Sequence, residues 1–551
     1  MQDSVPTQLS KQVAPAASAR TSTVDQLSRL SCAFEKHKGY IGALVLAFSV
    51  ISAIGHARAT YFTYDEQITY RTALMPARAI WDFFAQGLDT TGPVPSLLAH
   101  AALRLPHSPE IAARVPFILA FAGMCWGMFA FLRERYPAGF ALSALVIPLE
   151  LSTVAYFMTN ARAYALMLCA AALGARFWQL AAEGKSRPWS VLGLWLVLAL
   201  GMSAHFFTVF LFVPFALAQV VHDAEKRRVD LPVWLALALF PLGWLPLMPG
   251  ELRAHKLYAA SFWTKPTLDN IGDAYEQLIE ASWPIVFVMG VFLLGLAVWF
   301  ARTKGSAEPT AKTEGLRKYE WVLIIALFLL PFLAWVGAHA LGAFQQIYVI
   351  TFAVGLTVAL CAAVAELARK HANIGVAFFI VMLLLAVCDQ HGAEAMDGVF
   401  ALFDHGTAHR ALQASVQNAD WVQWLERSEL PLIADNATYL HLDFYGSREL
   451  ARRAWGVTNF REAAKYPRAL TDQNNLALFG RNIGLQVADI EDFAARNPEF
   501  AVIQQRRHYS FEWTPQYFAE RAQVRKDLSI HLAYLDPQGR YIIYDVVCYG
   551  R

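Results

Sequence analysis

The sequence predicts a polytopic α-helical membrane protein of about eleven transmembrane helices, followed by a C-terminal extracytoplasmic α/β domain. Three observations predict it. The 551-residue chain is 56% hydrophobic and only 16% charged, against roughly 25% charged in soluble domains. The apolar residues fall in blocks of about 20, the length a bilayer-crossing helix needs. After residue 390 the blocks stop, and strand-like stretches alternate with helical ones. A net charge of +2 provides no field for nucleic acid.

Taken in order, residues 1–31 are rich in Ser, Thr, Ala and Gln, and residues 1–38 are expected to form a disordered cytoplasmic tail. Residues 39–57 (GYIGALVLAFSVISAIGHA) form the first span. Ala57-Arg58-Ala59 has the small-residue spacing of a signal-peptidase site. The apolar run is longer than a signal h-region and lies deep in the chain, which favours an uncleaved anchor. Further spans are expected at 111–132, 138–157, 164–182, 190–204, 206–222, 232–249, 283–301, 320–338, 346–366 and 374–390. Residues 190–222 are one apolar run, too long for a simple span, and divide at His205. The six cysteines show neither zinc-site nor disulfide spacing and read as small apolar residues.

The positive charges set the topology. Lys36 and Lys38 precede the first span. Arg133/Arg135, Lys185/Arg187, Lys226 to Arg228, Arg302 to Lys318 and Arg369/Lys370 fall in alternate links. The positive-inside rule places all of these in the cytoplasm. The first loop (58–110), the links 158–163, 250–282 and 339–345, His205 and the domain 391–551 are then expected outside. Residues 94–105 (VPSLLAHAALRL) reach only about 18 Å as a helix, so they lie along the surface, with Val94, Leu97, Leu98, Ala101 and Leu105 on one face.

Charged residues stand out in such a chain. "TYFTYDEQITYR" (60–71) leaves the first span with Asp65, Glu66 and Arg71. Adjacent carboxylates on a helix point about 100° apart, so at most one faces a given cleft; acidic residues also favour helix N-termini through the dipole. "MTNARAYAL" (158–166) places Arg162 and Tyr164 on the next outer link. Arginine there either snorkels to lipid phosphates or grips a phosphate with two parallel hydrogen bonds. Glu150 sits about 10 Å below the end of its span, where an ionisable group is costly and is usually paired or functional; Arg114 is the expected partner. Lys256, with His255, Tyr258, Trp263 and Lys265 nearby, supplies a further cation or an interface anchor. Asp404, His405 and His409 include an i, i+4 histidine pair, a weak metal signal without a clear helix.

Together these pieces resemble the GT-C glycosyltransferases, specifically the ArnT-like, protein-mannosyltransferase-type and lipopolysaccharide galacturonosyltransferase-like bacterial enzymes. The matching stretches are "TYDEQ" (63–67), "TTGPVPSLL" (90–98), "TNARAYAL" (159–166) and "SAHFFTVF" (203–210). The resemblance covers the first half of the chain. It implies a GT-C fold and a polyprenyl-phosphate-linked sugar donor, used at the periplasmic face of a bacterial inner membrane. The acceptor is lipid A or its core, a polysaccharide, a glycolipid or a protein. The family's catalytic aspartate falls on Asp65, with Glu66 beside it, and its outer-loop arginine on Arg162, with Tyr164 beside it. Gly92-Pro93-Val94-Pro95 replaces the His-Pro-Pro or Lys-Pro of many relatives, and Gln345-Gln346-Ile347-Tyr348 replaces an Arg-Tyr. Lys256 or Arg71 is then the substitute cation for the donor phosphate. His205, Glu150 and Tyr348 are further cleft candidates. No metal site is assigned, and a divalent cation at Asp65 or Glu66 stays open.

This chemistry needs a carboxylate to take the acceptor's proton and fixed cations for the leaving phosphate. A single displacement inverts the anomeric carbon. In the C-terminal domain, 429–436, 498–507, 528–535 and 539–549 read as strands, with a turn at Asp536-Pro537-Gln538-Gly539. "NATYLHLDFYG" and "VADIEDFAARN" read as short helices. The domain either caps the cleft and helps choose the acceptor or is a passive support. The rival classes are a transporter or flippase, which would line a mid-membrane path with charges, and a non-catalytic sensor.

Overall fold

The computed structural model describes residues 17–89, 91–258, 266–280, 282–303, 314–341, 345–403, 406–465, 469–506 and 513–549. Its first helix runs from Ala17 to Ala59. The expected disordered tail is therefore corrected from residue 17 onward. Extending a helix already nucleated by an apolar span adds one hydrogen bond per residue fixed, so a polar but helix-compatible stretch continues it.

Among the described residues, five helices are long and apolar enough to cross a membrane: Arg29–Ala59, Pro109–Leu132, Tyr164–Ala182, Arg187–Ala204 and Phe206–Lys226. The number rises to as many as nine if each of four bent pairs is one span, and Leu231–Trp244 and Phe352–Leu367 are shorter apolar helices. The expected straight spans at 138–157, 320–338 and 374–390 are corrected. The first is broken, with Ala138–Glu150 and Ser152–Met158 meeting at 83°. Lys318–Phe328 and Leu330–His339 meet at 55°, and Ala372–Cys388 and Gln390–Ala401 at 66°. Pro148 lies in the 3-10 turn before the first bend and Pro331 just after the second, where proline removes a helix hydrogen bond. Run length alone does not register direction.

The Gln390–Ala401 helix lies backbone to backbone on the first helix. A Cβ on Gly398 would fall 1.8 Å from the Ile51 carbonyl oxygen, and one on Gly55 would fall 1.9 Å from that of Glu394. Only glycines permit that approach. The helical bundle therefore extends past the expected boundary at 391.

The segment after the first span folds into three short helices, Tyr64–Ala73, Ala77–Ala85 and Val94–Ala102. In the last of these Pro95, Ser96, Ala99 and Ala102 are buried. The larger apolar side chains Leu97 and Leu98 stay partly exposed and Leu105 exposed, as a helix lying along a lipid surface requires. Gly92 donates its N–H to the Ala204 carbonyl (3.0 Å), and a Cβ there would clash with Ser203. The Gly-Pro turn is thus pinned beside His205.

The C-terminal domain is a six-stranded sheet with strands β1 (Leu432–Ala434), β2 (Ala454–Thr458), β3 (Val487–Asp489), β4 (Glu499–Gln505), β5 (Leu528–Leu535) and β6 (Tyr541–Cys548). The order is β3-β2-β1-β4-β6-β5, with β3, β2, β1 and β4 parallel and β6 antiparallel to both β4 and β5. The four expected strands and the turn at 536–539 are present. β2 and β3 were not foreseen, and β3 takes the start of the expected helix at 487–497. Alternation along β1 and β4 sends Leu432, Ala434, Ala501 and Ile503 to one face, where Ile68 of the Tyr64–Ala73 helix joins the core. Ile433, Phe500 and Val502 go to the other. The sheet is therefore seated on the segment that carries Asp65.

Candidate active site

The geometry begins at the N-terminus of the Tyr64–Ala73 helix. Thr63 caps it, its hydroxyl accepting from the Glu66 N–H (3.3 Å), while Glu66 Oε2 accepts from the Thr63 N–H (3.0 Å). Arg114 Nε and Nη2 donate to the two Glu66 oxygens at 2.7 and 2.9 Å. The Ala161 N–H donates to Oε1 at 2.9 Å. Arg114 also donates to the carbonyls of Ala57, Thr60 and Tyr61. The expected Arg114–Glu150 pair is therefore corrected: the guanidinium is consumed by Glu66 and by the carbonyls that end the first helix.

With Glu66 turned inward, Asp65 turns out. It is exposed and lines a cavity of about 440 Å³. Arg162 and Tyr164 line the same cavity. Arg162 sits one residue after Ala161, so the Glu66 bond fixes where it emerges. Its Nη1 reaches the Thr69 hydroxyl at 3.5 Å, and its buried Nε has no partner. Burial opposes the charge on Arg162, but Asp65 and Asp89 outweigh it and hold its pKa above the ordinary arginine value.

His205 and Tyr348 stand behind this wall. The His205 ring packs 5.0 Å from that of Tyr348 and 6.1 Å from that of Tyr164, and its Nδ1 accepts from the Phe207 N–H at 3.3 Å. Burial, aided by the Arg162 charge, lowers its pKa to about 3, so it is a neutral packing group. Gln345 and Ile347 of the "FQQIY" stretch line the cavity.

Two site assignments change, one of a cation and one of a carboxylate. Arg71 does not line the cavity: its Nη2 bonds Asp443 Oδ2 at 2.6 Å, and its guanidinium lies over the rings of Tyr70 and Phe444. It joins the helix to the C-terminal domain instead of holding a phosphate. Glu150 lines a different cavity. The side chains of His255, Lys256 and Tyr258, and all of Trp263, Lys265, Asp404 and His405, lie outside the described residues. His409 Nδ1 donates to Glu110 Oε1 at 2.7 Å.

The opposite wall belongs to the C-terminal domain: Ala434, Asp435, Asn436 and Ala437 after β1, Val457 of β2 and Gln505 of β4, with Asp472, Trp513 and Thr514. These include the carboxyl ends of three parallel strands. β2 and β3 follow on one side of β1 and β4 lies on the other, so the cavity abuts the point where strand order reverses. Open α/β sheets bind ligands there. Asp435 caps the next helix through the Thr438 N–H and hydroxyl (3.0 and 2.6 Å), and burial raises its carboxyl pKa. Tyr64 donates its hydroxyl to Asp472, tying the two walls together. The sequence offered one signal for this wall, an apolar strand ending in Asp435-Asn436.

The architecture is one of bent apolar helices, surface-lying helices and a seated α/β domain around one cavity. It matches the crystal structure of ArnT from Cupriavidus metallidurans bound to undecaprenyl phosphate with a TM-score of 0.52 at 12% sequence identity, covering 92% of this chain and 98% of that one. The apo ArnT structure matches with a TM-score of 0.50 at 13% identity over the same shares. No family model matches the sequence, and no curated protein does.

Proposed function

We propose that this chain is an inverting glycosyltransferase that moves a sugar from a polyprenyl-phosphate-linked donor to an envelope acceptor at the periplasmic face of a bacterial inner membrane. The observation that carries this is the shared cavity of Asp65 and Arg162. The similar ArnT structure holds undecaprenyl phosphate, which supports a lipid phosphate as the leaving group here.

In the proposed step, Asp65 takes the proton of an acceptor hydroxyl or amine as its lone pair attacks the anomeric carbon. The bond from that carbon to the phosphate oxygen breaks, and the electron pair leaves with the polyprenyl phosphate. Arg162, already charged and with an unpaired Nε, takes up the developing charge. Attack opposite the departing group inverts the centre. Glu66 positions both groups and touches neither substrate. The wall of Asp435, Asn436, Asp472 and Trp513 receives the acceptor, its carboxylates bonding hydroxyls or amines. Lipid A or its core, a polysaccharide, a glycolipid and a protein all offer such groups.

The test is turnover of a radiolabelled polyprenyl-phosphate sugar by the purified chain with envelope acceptors. Transfer with release of polyprenyl phosphate is expected. Binding of the labelled donor without any release across the acceptor panel would overturn the proposal in favour of transport or sensing.

A further inference from the structure

Glu150 lines a second cavity, of about 330 Å³, together with His56, Tyr156, Asp389, His391 and Glu394. It is only 7% exposed, and its Oε1 has no hydrogen-bond partner. Ligand atoms of Glu150, Asp389 and His391 all lie within 4.8 Å of one another. We infer that these three residues bind a divalent transition-metal ion, with Zn²⁺ the best fit, and that the ion clamps two bent membrane helices together.

The chemistry of the set is the first support. Two carboxylates balance the charge of the ion, and an imidazole nitrogen with carboxylate oxygens is a donor set that zinc accepts. Ligand atoms on one tetrahedral zinc lie about 3.3 Å apart, given bonds of about 2.0–2.1 Å, so small side-chain movements complete the site. The remaining position faces the cavity, which has room for water. An unpaired carboxylate oxygen buried among apolar helices is otherwise costly.

The surroundings of His391 are the second support. Its Nδ1 is 3.0 Å from Glu394 Oε2, and its Nε2 is 3.0 Å from the Leu149 carbonyl. A carboxylate that holds one ring nitrogen orients the other toward a metal. With Nδ1 held by Glu394, Nε2 turns to the ion and gives up its proton and its bond to Leu149. Glu394 is in turn held by His56 Nδ1 (2.7 Å) and the Ser52 hydroxyl (3.1 Å) of the first helix.

The ligands sit where the backbone breaks. Glu150 ends the segment that bends by 83°, and Asp389 and His391 flank the start of the helix that follows the 66° bend. An ion between them would fix both angles and tie in the first helix through Glu394. Tyr156 lines this cavity and the first one, so the clamp also sets one wall of the proposed reaction site. The inference does not depend on the transfer reaction.

The experiment uses the full chain in detergent, stripped with a chelator and titrated with Zn²⁺ alone. Elemental analysis is expected to give about one bound ion per chain, and the unfolding temperature to rise by several degrees. Both effects are lost in Glu150→Gln and Asp389→Asn and kept in Asp65→Asn. Co²⁺ in place of zinc gives visible absorption bands that shift in His391→Gln. Asp389 is exposed, so Asp389→Asn carries the test should Glu150→Gln fail to fold. A chain that retains no ion overturns the inference, as does equal binding by Asp389→Asn. Loss of the ion in Asp65→Asn with retention in Asp389→Asn places it in the first cavity and overturns it too.

Discussion

Arg114 and Glu66 meet through two parallel hydrogen bonds while their side chains are only 3% and 1% exposed. Neither residue lines the cavity, yet this pair decides that Asp65 does. Removing one partner of a buried ion pair leaves the other charge uncompensated. Glu66→Ala is therefore expected to cost about 3–5 kcal/mol of stability, visible as a markedly lower unfolding temperature. It also frees the Ala161 N–H, so Arg162 loses its fixed position. A Glu66→Ala protein as stable as the parent would show that the pair is not a structural joint.

Asp65→Asn should behave in the opposite way. The residue is exposed and its side chain caps nothing, and Asp89 still faces the buried Arg162, so stability changes little. Loss of a positioned base lowers transfer by about 10²–10⁴-fold. Initial rates with the labelled donor measure this, and full activity would remove Asp65 from the proposed mechanism.

Arg162→Ala is expected to weaken use of the lipid donor more than of the acceptor, by raising the donor KM and lowering kcat. Arg162→Lys restores only part of the loss, because an ammonium lacks the planar fork. Unchanged binding in a direct polyprenyl-phosphate assay would separate Arg162 from the phosphate.

The junction between the helical part and the C-terminal domain carries a pH dependence. His441 packs 5.4 Å from the Tyr61 ring and 4.9 Å from that of Tyr445, and burial lowers its pKa from 6.5 to about 4. The unfolded chain therefore binds this proton first as pH falls. The stability contributed by the neutral ring is complete above about 6.5 and is lost as pH falls from there toward about 4. His441→Gln should flatten the unfolding temperature over that interval. An identical slope in both proteins would rule the residue out.

Much of the bundle was legible because apolar block length and loop charge are local properties of the chain. Asp65 and Arg162 stood out for the same reason, as charges at the ends of apolar blocks. Bends were not legible, since a proline such as Pro148 leaves hydropathy unchanged. Nor were partners: Arg114 was matched with Glu150, the carboxylate inside the following apolar block, whereas the fold carries it to Glu66. The wall built by Asp435, Asp472 and Trp513 is assembled by contacts across most of the chain length, which no local pattern encodes. Arg71 was misread because its match, Asp443, lies in the same distant domain.

The seating of the sheet on the Tyr64–Ala73 helix couples the two walls of the cavity. The segments that follow β1 and β2 hold that helix directly, through Asp443 on Arg71, Tyr445 on the Phe62 N–H and Asp472 on the Tyr64 hydroxyl. A substitution at any of these three positions in the sheet domain is therefore felt at the helix that carries Asp65, so the two halves of the cavity can change only together.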